Sequence, residues 1–185
     1  MSVQRLMANG GCDIVSAMRN DPEKGFRMLM DKYKEAVYWH IRRLVMSHDD
    51  AQDAAQETFV RIFRSLQQYH GGGSLTAWVY RIATNEAMRM LGRRKGCVVS
   101  LDDETCAAPE IPADRYVDYS DLEAVRLQKA ILSLPPKQQV AFTMRYYDGL
   151  DYGEIAEVTG STAASAKVNY HIAKDKIVKY MNSND

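Results

Sequence analysis

Apolar residues recur at every third or fourth position along most of this chain, and that spacing is typical of amphipathic helices. In the first half, one such stripe follows Asp21-Pro22, a pair that favours a helix start because Asp caps backbone N–H groups and Pro fits the first turn. The stripe comprises Phe26, Leu29, Tyr33, Val37, Ile41 and Leu44. No run of alternating polar and apolar residues predicts a strand. The sequence therefore predicts an all-α fold.

One stretch near the middle of the chain breaks the helical pattern. Residues 97–119 contain Pro109, Pro112 and many acids, with little apolar periodicity, which is typical of a linker. We therefore expect two small helical domains, residues 1–96 and 120–185, joined by a linker over 97–119. A flexible coil of 23 residues averages roughly 25–30 Å between its ends. The two domains should accordingly either sample many arrangements or pack together.

Charge is distributed unevenly along a chain whose formal net charge is zero, with 24 Lys and Arg against 24 Asp and Glu. Five basic residues and one acid give +4 over residues 81–95, and four lysines and one acid give +3 over residues 167–179. Between them, residues 102–123 carry eight acids and one arginine, which gives −7. Solvated helices often carry such charge, but two basic helices around an acidic segment also favour two contacts with a polyanion such as nucleic acid.

Two further helices of the first half are predicted by their capping residues. One begins at Asp49, where Gln52 completes a pair resembling a capping box, and the other begins at Ser74 after the Gly71–Gly73 break. The first helix should bury Ala51, Ala55, Phe59, Ile62 and Leu66, and should expose Asp53, Glu57, Arg61 and Arg64. The second should bury Leu75, Trp78, Val79 and Ile82, and should present Arg81, Asn85, Arg89 and Arg93 at steps of four. Burial does not explain the polar faces of these helices.

The second half predicts four helices, the last two of which form a helix-turn-helix. The first two are residues 122–134, before Pro135-Pro136, and residues 138–147. Residues 151–158 follow with Asp151 and Glu154 as a capping box, and Thr159-Gly160 makes a tight turn. Thr162 caps the final helix, which should bury Ala163, Ala166, Tyr170, Ala173 and Ile177. A helix of this kind fits the major groove of DNA, although an ordinary helical hairpin has the same pattern.

Taken in order, these segments resemble bacterial RNA polymerase sigma factors of the sigma-70 family, extracytoplasmic-function (ECF) group. Residues 53–61, Asp-Ala-Ala-Gln-Glu-Thr-Phe-Val-Arg, match the signature D-x-x-Q-E-T-F-x-R. Residues 74–85 are similar to the family's next helix, which ends in basic residues here at 93–95. Residues 134–139 (LPPKQQ) and 148–156 (DGLDYGEIA) are similar to the family's second domain. The resemblance covers roughly residues 14–96 and 120–181.

The resemblance implies a dissociable subunit of core RNA polymerase that selects promoter DNA and needs no cofactor, metal or small-molecule substrate. It implies a polymerase-binding surface formed by Asp53, Gln56, Glu57 and Arg61. It implies that the first domain contacts the −10 element through Tyr69, Arg81, Asn85, Arg89, Arg93, Arg94 and Lys95. It implies that the final helix contacts the −35 element through Ala164, Ser165, Lys167, Val168, His171 and Lys174. It also implies an anti-sigma factor as a partner.

The residue types suit those implied roles. Tyr69 can stack on a base that is flipped from the duplex, and basic side chains on the same helix can hold phosphates. Lys167 can donate to guanine, and Val168 can pack against a thymine methyl group. Three positions depart from the family pattern: Arg89, Asn169 and Ser161.

Other functions stay open on the residues alone. A helix-turn-helix regulator that never joins polymerase would account for the second half but not for the face from Asp53 to Arg61. An enzyme is the second alternative, because His48-Asp49 is similar to the metal-binding pair of phosphohydrolases, yet such a site needs more spaced ligands and the blander role is a helix cap. A pure protein-interaction module is the third. We expect a sigma factor and no enzymatic activity.

The ends and the cysteines of the chain predict where it works. Residues 1–20 lack the apolar middle of a signal peptide, and no apolar stretch approaches the roughly 20 residues of a membrane helix. Cys12, Cys97 and Cys106 form neither a disulfide framework nor a zinc motif. We therefore expect a cytoplasmic protein.

Overall fold

A computed structural model describes residues 13–69, 71–95, 101 and 122–183, and these residues form helices and turns without a strand. In chain order the helices are α1 (described over 13–20), α2 (Pro22–Val45), α3 (His48–Ser65), α4 (Leu75–Lys95), α5 (Leu122–Leu132), α6 (Pro136–Tyr146), α7 (Tyr152–Thr159) and α8 (Ala163–Asn182). A 3-10 turn at Leu66–Gln68 follows α3. The predicted all-α fold is confirmed.

Helix α2 is one continuous element that carries the whole first apolar stripe. Asp21 caps it by accepting from the backbone N–H of Lys24 at 3.0 Å, and Pro22 occupies the first turn. A β-carbon at Gly25 would lie 2.5 Å from backbone atoms of Met18, so glycine is what lets α1 pack directly on α2. The helix ends at Met46, whose φ of 67° is a left-handed conformation rarely adopted outside glycine.

Several predicted boundaries and burials are wrong in detail. Helix α3 begins at His48, because the side chain of Ser47 rather than Asp49 caps it. Helix α6 begins at Pro136 instead of residue 138, since proline fits a first helical position, and α5 ends at Leu132 instead of 134. Ala163 is exposed because it directly follows the cap of α8. The predicted caps Ser74, Asp151 and Thr162 all hydrogen-bond the backbone of the helix that follows them.

The main hydrophobic core joins the two halves of the chain. It packs α2, α3 and α4 around fully buried residues such as Leu29, Ile41 and Ile62. The same cluster includes residues of α6, α7, α8 and the turn between α6 and α7, namely Val140, Ala141, Met144, Leu150, Ile155, Ala156, Val158 and Ala166. A smaller core of Ala130, Ile131, Leu134, Phe142, Ala173 and Ile177 belongs to the second half alone. The second half therefore packs against the first, which is one of the two arrangements expected from the sequence.

A buried polar cluster also ties the halves together. His40, which is fully buried on α2, places Nδ1 2.8 Å from Oδ2 of Asp148 and Nε2 3.0 Å from Oγ1 of Thr84. Because a carboxylate only accepts, Nδ1 of His40 donates to Asp148. Arg43 donates to the other oxygen of Asp148 at 3.2 Å and lies over the ring of Tyr147. The side chain of Asp148 is 4% exposed, so its carboxylate is largely shielded from water, whereas Arg43 is 26% exposed.

The predicted domain boundaries fall mostly on residues without a described structure. Apart from Leu101, the predicted linker 97–119 lies outside the described residues, and so do Cys12, Cys97 and Cys106. In the described part of the chain, no helix is both long enough and apolar enough to cross a membrane.

Candidate polymerase and nucleic-acid interfaces

The predicted polymerase-binding residues share the outer face of α3. Asp53, Gln56 and Arg61 are exposed and Glu57 is half-exposed, as their spacing predicts. Nε of Arg61 lies 3.4 Å from Oε1 of Glu57, one helical turn earlier. This pair is open to water and contributes only about 0.3–0.5 kcal/mol to folding. The Glu57–Arg61 pair by itself therefore adds little to the stability of the fold.

The predicted −10 residues on α4 also lie on one exposed face. Arg81, Asn85, Arg89 and Arg93 are all exposed. The side chains of Arg94 and Lys95 lie outside the described part of the structure. Next to this face, a groove of about 350 Å³ is lined by Asp53, Gln56 and Glu57 of α3 and by Glu86, Arg89 and Arg93 of α4. The two predicted surfaces, one for polymerase and one for DNA, therefore adjoin along the α3–α4 groove.

Glu86 joins those two surfaces and was not predicted as a site residue. Its carboxylate is 5% exposed, and Oε1 lies 2.5 Å from Nε of Arg61 and 3.1 Å from Nη1 of Arg89. Burial raises the pKa of the Glu86 carboxyl above its ordinary value, while Arg61 opposes that rise. The side chains of two predicted contact residues, Arg61 and Arg89, are therefore both paired with the buried carboxylate of Glu86. The signal in the sequence was its place as the one acid among the basic residues of 81–95.

Tyr69, a predicted −10 residue, forms an aromatic pair with Trp78. The ring of Tyr69 is 4.9 Å from that of Trp78, and its hydroxyl donates to the carbonyl of Gly73 at 2.9 Å. Partial burial raises the pKa of the Tyr69 phenol, and the nearby Glu157 adds to the rise. Trp78 is half-buried at the edge of the core, where the sequence predicted a core residue. His70 lies outside the described residues.

The predicted −35 residues form an exposed face on the second helix of a helix-turn-helix. Helix α7 ends at Gly160, whose φ of 63° makes the tight turn, and α8 begins after the cap Thr162. Val168 is 56% exposed, so its apolar side chain is available for contact. The other members of the face are Ala164, Lys167, His171 and Lys174, which are exposed, and Ser165, which is half-buried.

The histidine of the alternative enzyme site has a structural setting. Nδ1 of His48 lies 2.7 Å from the hydroxyl of Tyr38, next to the Ser47 cap. Among the described residues, no group of three or more His, Cys, Asp or Glu side chains is arranged to hold a metal ion. The geometry around His48 is that of a helix start.

Comparison with known proteins finds matches in both halves of the chain. The family described as Sigma-70 region 2 matches residues 29–96, and Sigma-70, region 4 matches residues 124–177. The chain is 31% identical over 156 residues to the ECF RNA polymerase sigma factor SigE of Mycolicibacterium smegmatis, covering 83% of this chain and 60% of that protein. It is 29% identical over 175 residues to the RNA polymerase sigma-H factor of Pseudomonas aeruginosa, covering 90% of this chain and 91% of that one.

The fold is also similar to that of a solved structure. CnrH, in complex with the cytosolic domain of CnrY, superposes with a TM-score of 0.72 over 95% of this chain and 99% of that chain. The sequence identity between the two is 16%, so the likeness is one of fold.

Proposed function

Because the chain belongs to the sigma-70 family of RNA polymerase sigma factors, in its extracytoplasmic-function group, we propose that it divides promoter recognition between its two halves. Residues 1–96 bind core polymerase and the −10 element, residues 97–119 are the linker, and residues 120–185 bind the −35 element. The observation that carries this proposal is the presence of both family regions, in order, on one chain, and most of the proposed contact residues that the structure describes are exposed.

Each surface has a separate task in this proposal. The outer face of α3, with Asp53, Gln56, Glu57 and Arg61, binds polymerase. Tyr69 stacks on a flipped −10 base beside Asn85, while the arginines of α4 and Lys95 hold phosphates. In the major groove of the −35 element, Lys167 and Val168 read base edges with Ala164 and His171, whereas Ser165 and Lys174 hold phosphates.

The remaining parts of the proposal concern partners and setting. The protein acts in the cytoplasm with core polymerase and promoter DNA, and an anti-sigma factor holds it inactive. It carries out no catalysis of its own and uses no cofactor, so its effect on transcription comes from binding alone.

Run-off transcription tests the function as a whole. Core polymerase is combined with the full chain on a genomic library, and the start sites are sequenced. Start sites that share two short elements and depend on the added chain support the proposal. If the chain neither comigrates with core polymerase in gel filtration nor changes the start sites, a helix-turn-helix regulator that does not join polymerase is the better account.

A charge reversal tests the polymerase-binding face of α3. Asp53→Arg should weaken binding to core polymerase at least about tenfold, because it places a repelling charge within an interface. The matched control is Asp31→Arg, since Asp31 is also exposed but lies on α2. Equal binding by the two variants would contradict the assignment of this face.

A further inference from the structure

A buried carboxylate lies between the two proposed contact surfaces of the first half. Glu86 is on the inner side of α4, where its neighbours Ala83 and Ala87 are fully buried. Its side chain is 5% exposed, and it meets Arg61 of α3 at 2.5 Å and Arg89 of α4 at 3.1 Å. Both contacts are made to the same oxygen, Oε1. One buried oxygen therefore serves an arginine of each surface.

Both arginines also reach solvent, where a partner can meet them. The side chain of Arg61 is 44% exposed and that of Arg89 is 41% exposed. A guanidinium carries five N–H donors, and the contacts with Glu86 use only Nε of Arg61 and Nη1 of Arg89. Each arginine can therefore be held by Glu86 on its inner side and still donate to a group outside the protein.

The shared oxygen makes the two arginines depend on each other. A buried carboxylate that loses one cationic partner is costly, so the remaining partner pairs with it more strongly. If polymerase draws Arg61 outwards, Glu86 is left to Arg89 and neutralises more of its charge. If a DNA phosphate draws Arg89 outwards, Glu86 is left to Arg61 in the same way. A gain at one surface is therefore a loss at the other, and the effect is reciprocal.

Other charges near Glu86 do not replace this pairing. Burial raises the pKa of the Glu86 carboxyl and Arg61 lowers it, while the charges of Glu57 and Arg93 act on it in opposite directions. Glu57 also lies 3.4 Å from Arg61, but its side chain is 42% exposed, so water can hydrate it when Arg61 moves. The buried carboxylate of Glu86 has no such substitute and depends on its two arginines.

We propose that Glu86 is a positioning residue shared by the polymerase surface and the −10 surface, and that it couples binding at one to binding at the other. Arg61 is available to polymerase to the extent that Arg89 holds Glu86, and Arg89 is available to a phosphate to the extent that Arg61 holds it. This inference rests on the proposed roles of Arg61 and Arg89 and adds an energetic link between them.

Binding to core polymerase without DNA tests the coupling in one direction. Arg89→Ala should weaken the affinity of the full chain for core polymerase about two- to fivefold, because Glu86 then neutralises Arg61 more completely. Arg81→Ala is the matched control, since Arg81 is also an exposed arginine of α4. In a Glu86→Gln background, Arg89→Ala should have no larger effect than Arg81→Ala. No effect in the wild-type background, or an equal effect in both backgrounds, would overturn the proposal.

Binding of the holoenzyme to a promoter found by run-off sequencing tests the reverse direction. With each variant saturated by core polymerase, Arg61→Ala should weaken promoter binding about two- to fivefold, although Arg61 is assigned to polymerase. Arg64→Ala is the control, because Arg64 is an exposed arginine of the same helix. In a Glu86→Gln background the loss should shrink to that of the control. A loss that does not depend on Glu86 would be a general effect of charge and would contradict the coupling.

Glu86→Gln by itself separates positioning from a purely structural role. The variant releases Arg89, so the saturated holoenzyme should bind promoter DNA more tightly, and the slope of log affinity against log salt should steepen by up to about one. This gain should exceed the loss of side-chain ordering, since a phosphate contact depends chiefly on charge. Circular dichroism checks that the variant is folded. A folded variant with unchanged promoter affinity and an unchanged slope would show that Glu86 does not restrain Arg89, and the proposal would be wrong.

The same measurements separate a failure of the coupling from a failure of the proposed function. If Arg61→Ala weakens core binding and Arg89→Ala weakens promoter binding, but neither affects the other partner, only the coupling is wrong. If Arg61→Ala leaves core binding unchanged, or Arg89→Ala leaves promoter binding unchanged, the role assigned to that arginine is wrong and the coupling falls with it.

Discussion

Glu86 decides how the two predicted contact surfaces of the first half are oriented. An exposed arginine samples many rotamers, whereas Arg61 and Arg89 both point at one buried carboxylate. Holding both guanidinium groups in place lowers the entropy that either would lose on binding polymerase or DNA. The same pairing reduces the positive charge that Arg89 presents to phosphate, so its contribution to DNA affinity should be smaller than that of Arg93.

Substitution of Glu86 should change how stability depends on pH. Burial raises the folded-state pKa of Glu86 above its ordinary value of 4.5. The contribution of Glu86 to the free energy of unfolding is therefore fully present below pH 4.5 and is lost as the pH rises through the raised pKa. Glu86→Gln resembles the protonated form at every pH. As the pH is raised from near 5 to near 7, the stability of the variant should therefore increase relative to that of wild type. The increase should be less than about 1 kcal/mol because Arg61 and Arg89 remain hydrated.

Urea denaturation of both proteins at the two pH values measures that difference. Arg64→Gln is a suitable control because it alters an exposed charge beside a pocket that Glu86 also lines. A difference between the Glu86→Gln variant and wild type that does not change with pH would contradict the raised pKa.

The caps show what could be predicted at single residues. Asp21, Ser74, Asp151 and Thr162 are right because a cap is decided within three or four residues of sequence. Ser47 was missed because Asp49 is also a good cap and because α2 ends on a left-handed Met46, which no local rule favours. Glu86 and Arg61 are 25 positions apart in the sequence. Their contact depends on how α3 packs on α4, which periodicity cannot give.

At the scale of elements, α7 depends on its capping box more than the longer helices depend on their caps. It has eight residues, so few internal hydrogen bonds support it. Asp151 and Glu154 bond each other's backbone N–H groups at 2.8 and 3.2 Å. Glu154 also contacts Ser74, so the position of α7 against the start of α4 depends on the same side chain.

Asp151→Ala should lower the free energy of unfolding by about 1 kcal/mol, because it leaves a backbone N–H of α7 without its cap. Asp151→Asn is the matched control, since its side chain keeps an acceptor and should cost only a few tenths of that amount. Urea denaturation at neutral pH compares the variants. Equal losses for alanine and asparagine would show that the charge of Asp151, not the cap, stabilises α7.

Two lysines of helix α8 should have different roles, one in recognising the base sequence and one in binding phosphate. Lys167→Ala should weaken binding to a promoter found by run-off sequencing by about 1–3 kcal/mol and relax the preference at one base pair. Lys174→Ala should weaken binding to all sequences alike and reduce the slope of affinity against salt by about one. Fluorescence anisotropy with holoenzyme at several salt concentrations measures both. Identical effects of the two substitutions would contradict the assigned roles.

The helix-turn-helix could be predicted from sequence because each part of it is local. The box at Asp151, the glycine at 160 and the cap at Thr162 lie within twelve residues and fix the turn and both helix starts. The packing of this unit could not be predicted. Ile155 and Val158 have the spacing of any amphipathic helix, and nothing in that spacing says whether they pack on their own half or on α4.

For the molecule as a whole, the closed arrangement is the feature that the sequence left undecided. His40 and Asp148 are 108 positions apart, and the linker between their halves permits contact without requiring it. Within the described structure, Nε2 of Gln139 and Oγ1 of Thr143 on α6 are buried without a hydrogen-bond partner, which costs free energy of folding. Two promoter elements lie roughly 50 Å apart, so the closed chain cannot reach both and must open before it binds them together.

Asp148→Ala should shift the unbound chain towards the open arrangement. The substitution leaves buried His40 without its acceptor and removes a charged partner from Arg43, so the closed form loses stability while each half keeps its own helices. A compact chain of this length has a radius of gyration of about 16 Å, whereas two separated halves on a flexible linker give about 20 Å or more. Small-angle X-ray scattering of the two proteins should therefore give the lower value for wild type and a higher one for Asp148→Ala.

Circular dichroism shows whether the variant keeps its helices, and Asp31→Ala, on the exposed side of α2, is the control for loss of an acid. An unchanged radius of gyration in Asp148→Ala would mean that the shared core alone holds the halves together. A large radius in wild type would mean that the closed form is a minor one. If the radius rises as expected, the same variant in holoenzyme should bind promoter DNA more tightly than wild type, because less free energy is needed to separate the halves.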